Sequence, residues 1–280
     1  RRLLAFDLDR TLLTEDYRLP QRLEAAVKAA RREGHLVTVL TGRPRAAAAP
    51  YVEQLEVSAP YSVNHGGTIL GSRGEVVRSL RLEPDLVNEV LRPYLRQSDL
   101  DFSCVVDDTL YVRDPEDERW AWAHTRNRVL RRFDPRAPLP AEKIVFAADV
   151  RTVTVEREIL YRRPELITYL WGDGYLEVTG PGTDKGEALS LIADMLGVAR
   201  EDTVAFGDGL NDVTMLAWAG HGVAVGEDAH PDALANAGEV IPSPEEGGVA
   251  EWIAANLGIT VGEVADNDES DWFIPSGHAF

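Results

Sequence analysis

The chain has 280 residues, of which 44% are hydrophobic, so it can form one large or two modest domains with a real core. Its formal net charge of −18 argues against nucleic acid or an anionic membrane as a partner. The single cysteine, Cys104, cannot form an internal disulfide and is expected to be a buried thiol.

The first predicted element is a buried strand at residues 3–6, and it ends in two carboxylates, Asp7 and Asp9. Open α/β sheets bind ligands at the carboxyl ends of their strands. Paired acids at such an edge suit Mg²⁺ and an aspartate that attacks phosphorus. The same Asp-x-Asp-x-(Ser/Thr) spacing recurs at 99–103 and 266–270 without an apolar strand before it, so we interpret both repeats as solvated loop.

A second strand-like run, at residues 36–40, is followed by Thr41-Gly42-Arg43-Pro44. A hydroxyl at a strand end, beside a backbone amide and a proline that begins a helix, is typical of a phosphate cradle. We therefore expect Thr41, Gly42 and Arg43 to bind phosphate. The alternative is an ordinary turn between a strand and a helix.

The pattern changes near residue 83, where strands and helices mix rather than alternate. The predicted elements of this part are a hairpin of 101–106 and 110–112, helix 118–133, strands 143–147 and 152–155, helix 164–171 and strand 175–179. This mixture suggests an inserted α+β unit. Trp120, Trp122, His124 and Arg126 form an aromatic and basic cluster that can contact a substrate. Packing within the unit itself is the alternative for its tryptophans.

After residue 180 the alternation of helices and strands resumes, and two further groups of interest appear. Lys185 begins a predicted helix, and it is one of only three lysines among the 29 basic Lys and Arg residues. A retained lysine in an arginine-rich chain indicates a need for a compact ammonium group, although a surface lysine is the alternative. The strand 203–206 is followed by Asp208, which can complete a metal site, and by Asn211 and Asp212 in the first turn of a helix, where capping is the alternative role.

These four groups, in this order along the chain, resemble the haloacid dehalogenase (HAD) superfamily of phosphotransferases. The stretch 207–216 is the most specific, and residues 63–69 and 222–226 resemble further segments of the Cof-type branch (C2 cap, subclass IIB). The chain departs from that branch at Arg10 and His65, where glycine is usual. A positive φ at position 10 would strain an arginine, whose side chain we expect to point to solvent or to the inserted unit, with a substrate contact as a further hypothesis.

The resemblance implies an α/β fold with a Rossmann-like, mostly parallel sheet. In this interpretation residues 1–82 and 181–280 form the hydrolase core, and residues 83–180 form an inserted α+β cap that determines the substrate. Cof-type proteins generally act on sugar phosphates and related small metabolites, so a small phosphorylated metabolite is the expected partner.

The resemblance also assigns chemical roles to the matched residues. Asp7 is expected to attack phosphorus, Asp9 to act as general acid and base, and Lys185 to offset the developing charge. Asn211 is expected to help bind or orient the phosphate. The implied cofactor is Mg²⁺. Its expected ligands are the carboxylates of Asp7 and Asp208 and the backbone carbonyl of Asp9, with Asp212 behind them.

Three other functions stay open at this point: a phosphomutase, a phosphatase for glycosyl phosphates, and a binding protein without catalysis. The histidines and the cysteine show no zinc-binding spacing, so zinc is not expected. Because no run reaches about 18 apolar residues, a cytoplasmic protein without a membrane span is expected, as a monomer or homodimer.

Overall fold

The structure is a computed structural model that describes residues 1–121, 123, 128–171 and 174–260. Within these ranges the chain forms two compact units, one of residues 1–78 with those from 184 onward and the other of residues 79–183. No helix in the described ranges is both long and apolar enough to cross a bilayer. Several sequence predictions lie outside the described residues, namely those for Trp122, His124, Arg126 and the segment 266–270.

The elements are numbered in chain order over the described residues. The strands are β1 (Leu3–Phe6), β2 (Leu36–Val39), β3 (Tyr61–Val63), β4 (Thr68–Leu70), β5 (Val76–Ser79), β6 (Asp101–Val106), β7 (Thr109–Val112), β8 (Val129–Arg132), β9 (Lys143–Ala147), β10 (Ile167–Trp171), β11 (Tyr175–Thr179), β12 (Thr203–Gly207), β13 (His221–Val225) and β14 (Glu239–Ile241). The α-helices are α1 (Gln21–Arg32), α2 (Arg45–Gln54), α3 (Pro84–Leu91), α4 (Thr152–Arg162), α5 (Lys185–Leu196), α6 (Val213–Trp218), α7 (Pro231–Asn236) and α8 (Gly248–Leu257).

The first unit is built on a parallel sheet with the strand order β14-β13-β12-β1-β2. The register places Leu3 beside both Leu36 and Thr203. A parallel bridge from Leu40 to Ser62 adds the three-stranded sheet of β3, β4 and β5 beside β2. Since parallel strands all end at one edge, the residues that follow β1, β2 and β12 meet there.

Both faces of this sheet are buried, which explains why β1 is apolar without alternation. Leu4 and Phe6 pack into one cluster with the buried residues of α1, α2 and α8. Leu3 and Ala5 pack into a second cluster with residues of α5 and α6. Full burial of a leucine or phenylalanine side chain contributes about 1.5–3 kcal/mol, so β1 is fixed between two helical layers.

The second unit has a six-stranded sheet with the order β10-β11-β9-β6-β7-β8. Its pairs are antiparallel except for β7 and β8, which are parallel. One face packs against α3 and α4 in a cluster that includes Phe102 and Phe146. The predicted hairpin of β6 and β7 is confirmed, with Val106 opposite Thr109.

Two predicted elements of this unit were wrong. Residues 152–155 belong to helix α4 and are not a strand, because Thr152, Val155 and Ile159 bury one helical face. This tertiary contact overrides the strand preference of β-branched residues. Conversely, the predicted helix 164–171 is in fact strand β10, which pairs antiparallel with β11 from Ile167 opposite Thr179.

The predicted helix 118–133 was also wrong as a continuous element. Residues Glu118–Trp120 form a 3-10 turn, and Val129–Arg132 form strand β8, which pairs with β7. Trp120 is fully buried, and its indole nitrogen donates to Asp101 at 2.7 Å. Trp120 therefore serves the packing of the unit, which was the alternative stated for the aromatic cluster.

Candidate active site

Three carboxylates meet at the edge where the strands β1 and β12 of the parallel sheet end. The amide of Asp7 donates to the carbonyl of Phe206 at 3.0 Å, so Asp7 extends the strand pair of β1 and β12 by one residue. Oxygen atoms of Asp7, Asp208 and Asp212 lie within 4.8 Å of one another. A set of carboxylate oxygens this close together has the chemistry that Mg²⁺ prefers, so the residues fit the ion implied by the sequence.

Lys185 joins two of these carboxylates through its ammonium group. Its Nζ donates to Asp7 and to Asp212, at 2.6 Å in both cases, and the lysine side chain is wholly buried. Burial alone would lower the pKa of Lys185, but the charges of Asp212 and Asp7 raise it above its ordinary value. The surface alternative for Lys185 is therefore excluded, and the side chain is a fixed cation inside the site.

Burial has the opposite effect on the carboxylates. It raises the pKa of Asp7 well above its usual value, while the charge of Lys185 acts to lower it. Burial, and after it the charge of Asp212, raises the pKa of Asp208 to about 7. Burial thus disfavours the ionised forms of Asp7 and Asp208 even though Lys185 and Arg10 lie beside them, and a bound cation would offset this cost.

The start of helix α5 determines the position of Lys185. Asp184 precedes the helix, and its Oδ1 accepts a hydrogen bond from the amide of Glu187 at 2.7 Å. At Gly186 the helix lies so close to α6 that an added Cβ would come within 2.6 Å of the carbonyl oxygen of Thr214. This close approach directs Lys185 between Asp7 and Asp212.

Asp212 organises the loop after β12 instead of facing open space. Its Oδ2 accepts from the amides of Asp208 and Gly209 at 3.1 and 2.9 Å, while its Oδ1 accepts from Lys185. The side chain is fully buried. Both oxygens of Asp212 therefore accept hydrogen bonds within the protein, and its place behind the metal ligands stays a prediction.

The proposed phosphate cradle lies next to β2 and is joined to the loop after β3. Thr41 donates its amide to Ser62 at 3.0 Å and accepts at its carbonyl from the amide of His65 at 3.0 Å. The carbonyl of Arg43 accepts from Asn64 at 2.9 Å. The hydroxyl of Thr41 accepts from the amide of Arg43 at 3.1 Å, so the turn is held in one conformation.

His65 and Asn211 connect this cradle to the loop after β12. A Cβ added at Gly42 would overlap the imidazole of His65, so the ring lies directly against the cradle. His65 Nδ1 and Asn211 Nδ2 are 3.1 Å apart. Asn64, His65 and Gly66 have φ values of 51°, 57° and 94°, a left-handed turn in which asparagine and histidine are among the better tolerated side chains. The chain thus brings Asn211 to the cradle through a histidine.

Arg43 is bound to Asp9 in this structure. Its Nε donates to the two carboxylate oxygens at 3.2 and 2.9 Å, and its Nη2 donates to Oδ1 at 2.5 Å. Burial alone would lower the pKa of Arg43, but the carboxylate of Asp9 raises it above its ordinary value. The Arg43 guanidinium, which was expected to bind phosphate, is therefore paired with Asp9, the second aspartate of the Asp-x-Asp motif.

Arg10 has the positive φ considered in the sequence analysis, with a value of 57°. Its half-exposed side chain forms an ion pair with Asp228, and its Nε lies 3.7 Å from Asp208. The arginine therefore contributes positive charge beside one of the three clustered carboxylates. A substrate contact by Arg10 stays a hypothesis.

Sequence reasoning assigned no site role to two residues that the structure places here. Thr11 is buried, and its hydroxyl donates to Asp208 at 3.2 Å. The sequence did hold a signal for Thr11, since it is the hydroxyl residue that ends the Asp-x-Asp-x-Thr pattern. His65 was noted only as a departure from glycine, and nothing in a single sequence shows which loop its ring contacts.

Comparison with known proteins identifies the family of the chain. A family model described as haloacid dehalogenase-like hydrolase matches residues 4–253. The HMP-PP phosphatase of Serratia proteamaculans is 30% identical over 230 residues, which cover 80% of this chain and 84% of that protein. A 5-amino-6-(5-phospho-D-ribitylamino)uracil phosphatase of Bacillus subtilis is 26% identical over 228 residues, with the same 80% and 84% coverage.

A solved structure extends the agreement to the fold. The crystal structure of a haloacid dehalogenase-like hydrolase from Bacteroides thetaiotaomicron has a TM-score of 0.80 and 25% identity, and the match covers 91% of this chain and 99% of that one. The α/β fold expected from the sequence, with a parallel sheet and an additional α+β region, is confirmed. With strand-end carboxylates, a buried lysine and a family match over most of its length, the chain belongs to the haloacid dehalogenase superfamily as a Cof-type phosphatase.

Proposed function

We propose that the protein hydrolyses monoesters of small phosphorylated metabolites through an aspartyl-phosphate formed on Asp7. The observation that carries this proposal is the buried contact of Asp7 with Lys185, beside the further acids Asp208 and Asp212. One oxygen of Asp7 is held by the ammonium group, which fixes the direction of the carboxylate. A fixed carboxylate at a strand end is suited to attack an electrophile that binds at the same edge.

The first step is the transfer of the phosphoryl group to Asp7. A carboxylate oxygen of Asp7 forms a bond to phosphorus while the bond from phosphorus to the leaving oxygen breaks. Lys185 offsets the negative charge that gathers around Asp7 and the phosphoryl oxygens. The hydroxyl of Thr41, the amide of Gly42 and the amide group of Asn211 supply further donors for those oxygens.

Proton transfer is assigned to Asp9. In the first step Asp9 gives a proton to the leaving oxygen, and in the second it takes a proton from the water that attacks the aspartyl-phosphate. The second step breaks the bond between Asp7 and phosphorus and releases inorganic phosphate. Asp9 is partly exposed whereas Asp7 is buried, which suits a group that exchanges protons with substrate and water.

The metal site would be formed by Asp7, Asp208 and the backbone carbonyl of Asp9, with Asp212 behind them. When bound, Mg²⁺ supplies positive charge that offsets the phosphoryl oxygens and the buried acids. The raised pKa of Asp208 supports this assignment, because burial and the charge of Asp212 disfavour its ionised form more than the charges of Arg10 and Lys185 favour it.

The substrate class is inferred from two observations. The second compact unit, residues 79–183, overlaps closely with the cap predicted at 83–180, and we propose that it selects the leaving group. The two relatives named above are phosphatases of small phosphorylated compounds, HMP-PP and 5-amino-6-(5-phospho-D-ribitylamino)uracil. Sugar phosphates and phosphorylated pyrimidine compounds are therefore the first classes to examine.

The test is the release of inorganic phosphate from a panel of sugar phosphates, nucleotides and phosphorylated cofactor precursors, each with Mg²⁺ and with EDTA. We expect release that requires Mg²⁺ and is strongest for one class of ester. Release that is equal with EDTA would contradict the metal assignment. The absence of release from every compound would contradict the proposed hydrolysis and would favour a phosphomutase, which is assayed by isomer interconversion.

A further inference from the structure

Arg43 lies in a pocket formed by two tyrosines, Tyr17 and Tyr51, which we call the tyrosine clamp. The central guanidinium carbon is 5.3 Å from the ring centre of Tyr17 and 5.1 Å from that of Tyr51. The Tyr51 hydroxyl donates to the carbonyl of Tyr17 at 3.1 Å, which joins the two halves of the clamp. The arginine is only 6% exposed, so its guanidinium has a fixed position.

The backbone of Tyr17 has an unfavourable conformation, which places its ring against Arg43. Tyr17 has a φ of 63°, a left-handed conformation that is unfavourable for any residue other than glycine. A tight turn holds it there, because the Tyr17 amide donates to Thr14 and the Thr14 amide donates to Arg18, both at 2.9 Å. The segment between β1 and α1 thus brings an aromatic ring to Arg43 where glycine would be less strained.

The guanidinium held in this way faces Asp9. Its Nε and Nη2 donate three hydrogen bonds to the Asp9 carboxylate, two of them to Oδ1 and one to Oδ2. The planar fork of arginine fixes both the position and the rotation of a carboxylate, which a lysine cannot do. The arginine side chain is only 7% exposed, and two of its nitrogens are already engaged, so little of it is available to a phosphate.

We propose that Arg43, held by the tyrosine clamp, is a positioning residue for Asp9 and is not a phosphate ligand. This inference rests on the proposed hydrolysis by Asp7 and Asp9. Arg43 fixes the Asp9 carboxylate so that an oxygen of it can pass a proton to the leaving group as the bond from phosphorus to that oxygen breaks. The role is specific to proton transfer, because Arg43 stabilises the direction of Asp9 and leaves the binding of the phosphoryl group to other residues.

Two aryl phosphates of similar shape separate this role from phosphate binding. Phenyl phosphate has a poor leaving group that needs a proton, whereas 2,4-dinitrophenyl phosphate has a good one that does not. The value of kcat/KM reports the steps up to release of the phenol, so it senses proton donation to the leaving group. For Arg43→Gln we expect kcat/KM for phenyl phosphate to fall about 10- to 100-fold, and that for the dinitrophenyl ester to fall less than about 3-fold.

Arg45→Gln is the matched control, because Arg45 is exposed and lies two residues along the same segment. It should leave both esters unchanged. Inhibition by vanadate, which reports on the phosphate site, should be the same in Arg43→Gln and in the wild-type enzyme. In an Asp9→Asn background, Arg43→Gln should add no further loss with phenyl phosphate, since both changes then act on one proton transfer.

An equal fall for both esters, together with weaker vanadate inhibition, would show that Arg43 binds phosphate and would overturn the inference. Unchanged kinetics with both esters would also overturn it. If Arg43→Gln fails to fold, Arg43→Lys keeps the charge without the fork and should show the same selective loss. A wild-type enzyme that releases phosphate neither from these esters nor from the panel of metabolite phosphates would contradict the proposed hydrolysis itself, which is a different outcome from any of these.

Discussion

At the scale of single residues, the clustered carboxylates depend on the buried ammonium group of Lys185. Lys185 lies between Asp7 and Asp212 with 2.6 Å contacts to each, and all three side chains are buried. Buried acids are unfavourable unless a positive group faces them. The same ammonium that is proposed to assist phosphoryl transfer therefore also stabilises the fold of the first unit.

Lys185→Met should lower the free energy of unfolding, because two buried carboxylates then lose their shared cation. Removal of one partner of a buried ion pair costs about 3 kcal/mol or more. Urea unfolding in EDTA, followed by circular dichroism, measures the change. Lys28→Met is the control, since Lys28 pairs with Glu24 near the surface and should matter by less than about 1 kcal/mol. Equal small effects of both substitutions would contradict this account.

Arg10 offers a second test at this scale, because its φ of 57° is unfavourable for any residue with a Cβ. Arg10→Ala and Arg10→Gly both remove the ion pair with Asp228, so their difference reports the backbone strain less the larger unfolded-state entropy of glycine. We expect the glycine variant to be the more stable by about 1 kcal/mol in thermal unfolding. Equal stability, or a more stable alanine variant, would show that the strain of the left-handed conformation does not exceed the entropy cost of glycine at this position, and would contradict this account.

At the scale of elements, the close contact of helices α5 and α6 gives Lys185 its direction. Alanine normally favours a helix by about 1 kcal/mol over glycine, so Gly186→Ala would stabilise an isolated α5. In the protein the new Cβ would lie 2.6 Å from the Thr214 carbonyl oxygen. Because that atom belongs to the backbone, the clash can be relieved only if the backbone shifts. At Gly186, steric packing between the two helices therefore outweighs the higher helix propensity of alanine.

Gly186→Ala should therefore lower the free energy of unfolding by about 1–3 kcal/mol, in spite of its better helix propensity. It should also lower phosphatase activity, since Lys185 is the neighbouring residue. Gly238→Ala is the matched control, because the nearest atom to its added Cβ is an ordinary 3.7 Å away. A stabilising effect of Gly186→Ala would contradict the close packing of the two helices.

The elements of the first unit could be predicted because each carries its own local signal. Strands β1, β2 and β12 are mostly apolar runs, and Asp7, Thr41 and Asp208 follow their ends within two residues. A parallel sheet then brings these ends together by topology alone. The grouping of the site residues followed from this argument, although the roles assigned to them came from the resemblance.

The second unit was harder to predict because its elements depend on contacts made across the unit. The run Thr152 to Val155 has strand propensity, yet it forms a helix since its buried face needs residues three and seven positions apart. The ion pair of Arg43 and Asp9 was missed for a similar reason. The partners are 34 residues apart, and only the folded clamp of Tyr17 and Tyr51 determines which carboxylate the guanidinium meets.

At the scale of the whole molecule, a net charge of −18 makes the protein repel anions, yet the proposed substrates are anionic. The attraction of an anionic substrate must therefore come from positive charges close to the site. The charges that supply it are those of Lys185, of Arg10 beside Asp208, and of the metal when it is bound. Substrate affinity should depend on this small region and not on the average surface.

The single cysteine reports on the integrity of the second unit. Cys104 is fully buried in β6, and burial raises the pKa of its thiol far above the usual value. A thiol reagent such as Ellman's reagent should therefore not react with the native protein, and it should label one thiol per chain in guanidinium chloride. Rapid labelling under native conditions would contradict the packing of this strand.

The central claim is that Asp7 is the nucleophile, and its most direct test is phosphate release by wild-type and Asp7→Asn protein in parallel with Mg²⁺. The substitution keeps the size of the side chain but removes the attacking carboxylate. We expect turnover to fall at least about 1,000-fold while circular dichroism shows an unchanged fold. Turnover at the wild-type rate by a folded Asp7→Asn protein would contradict the aspartyl-phosphate mechanism.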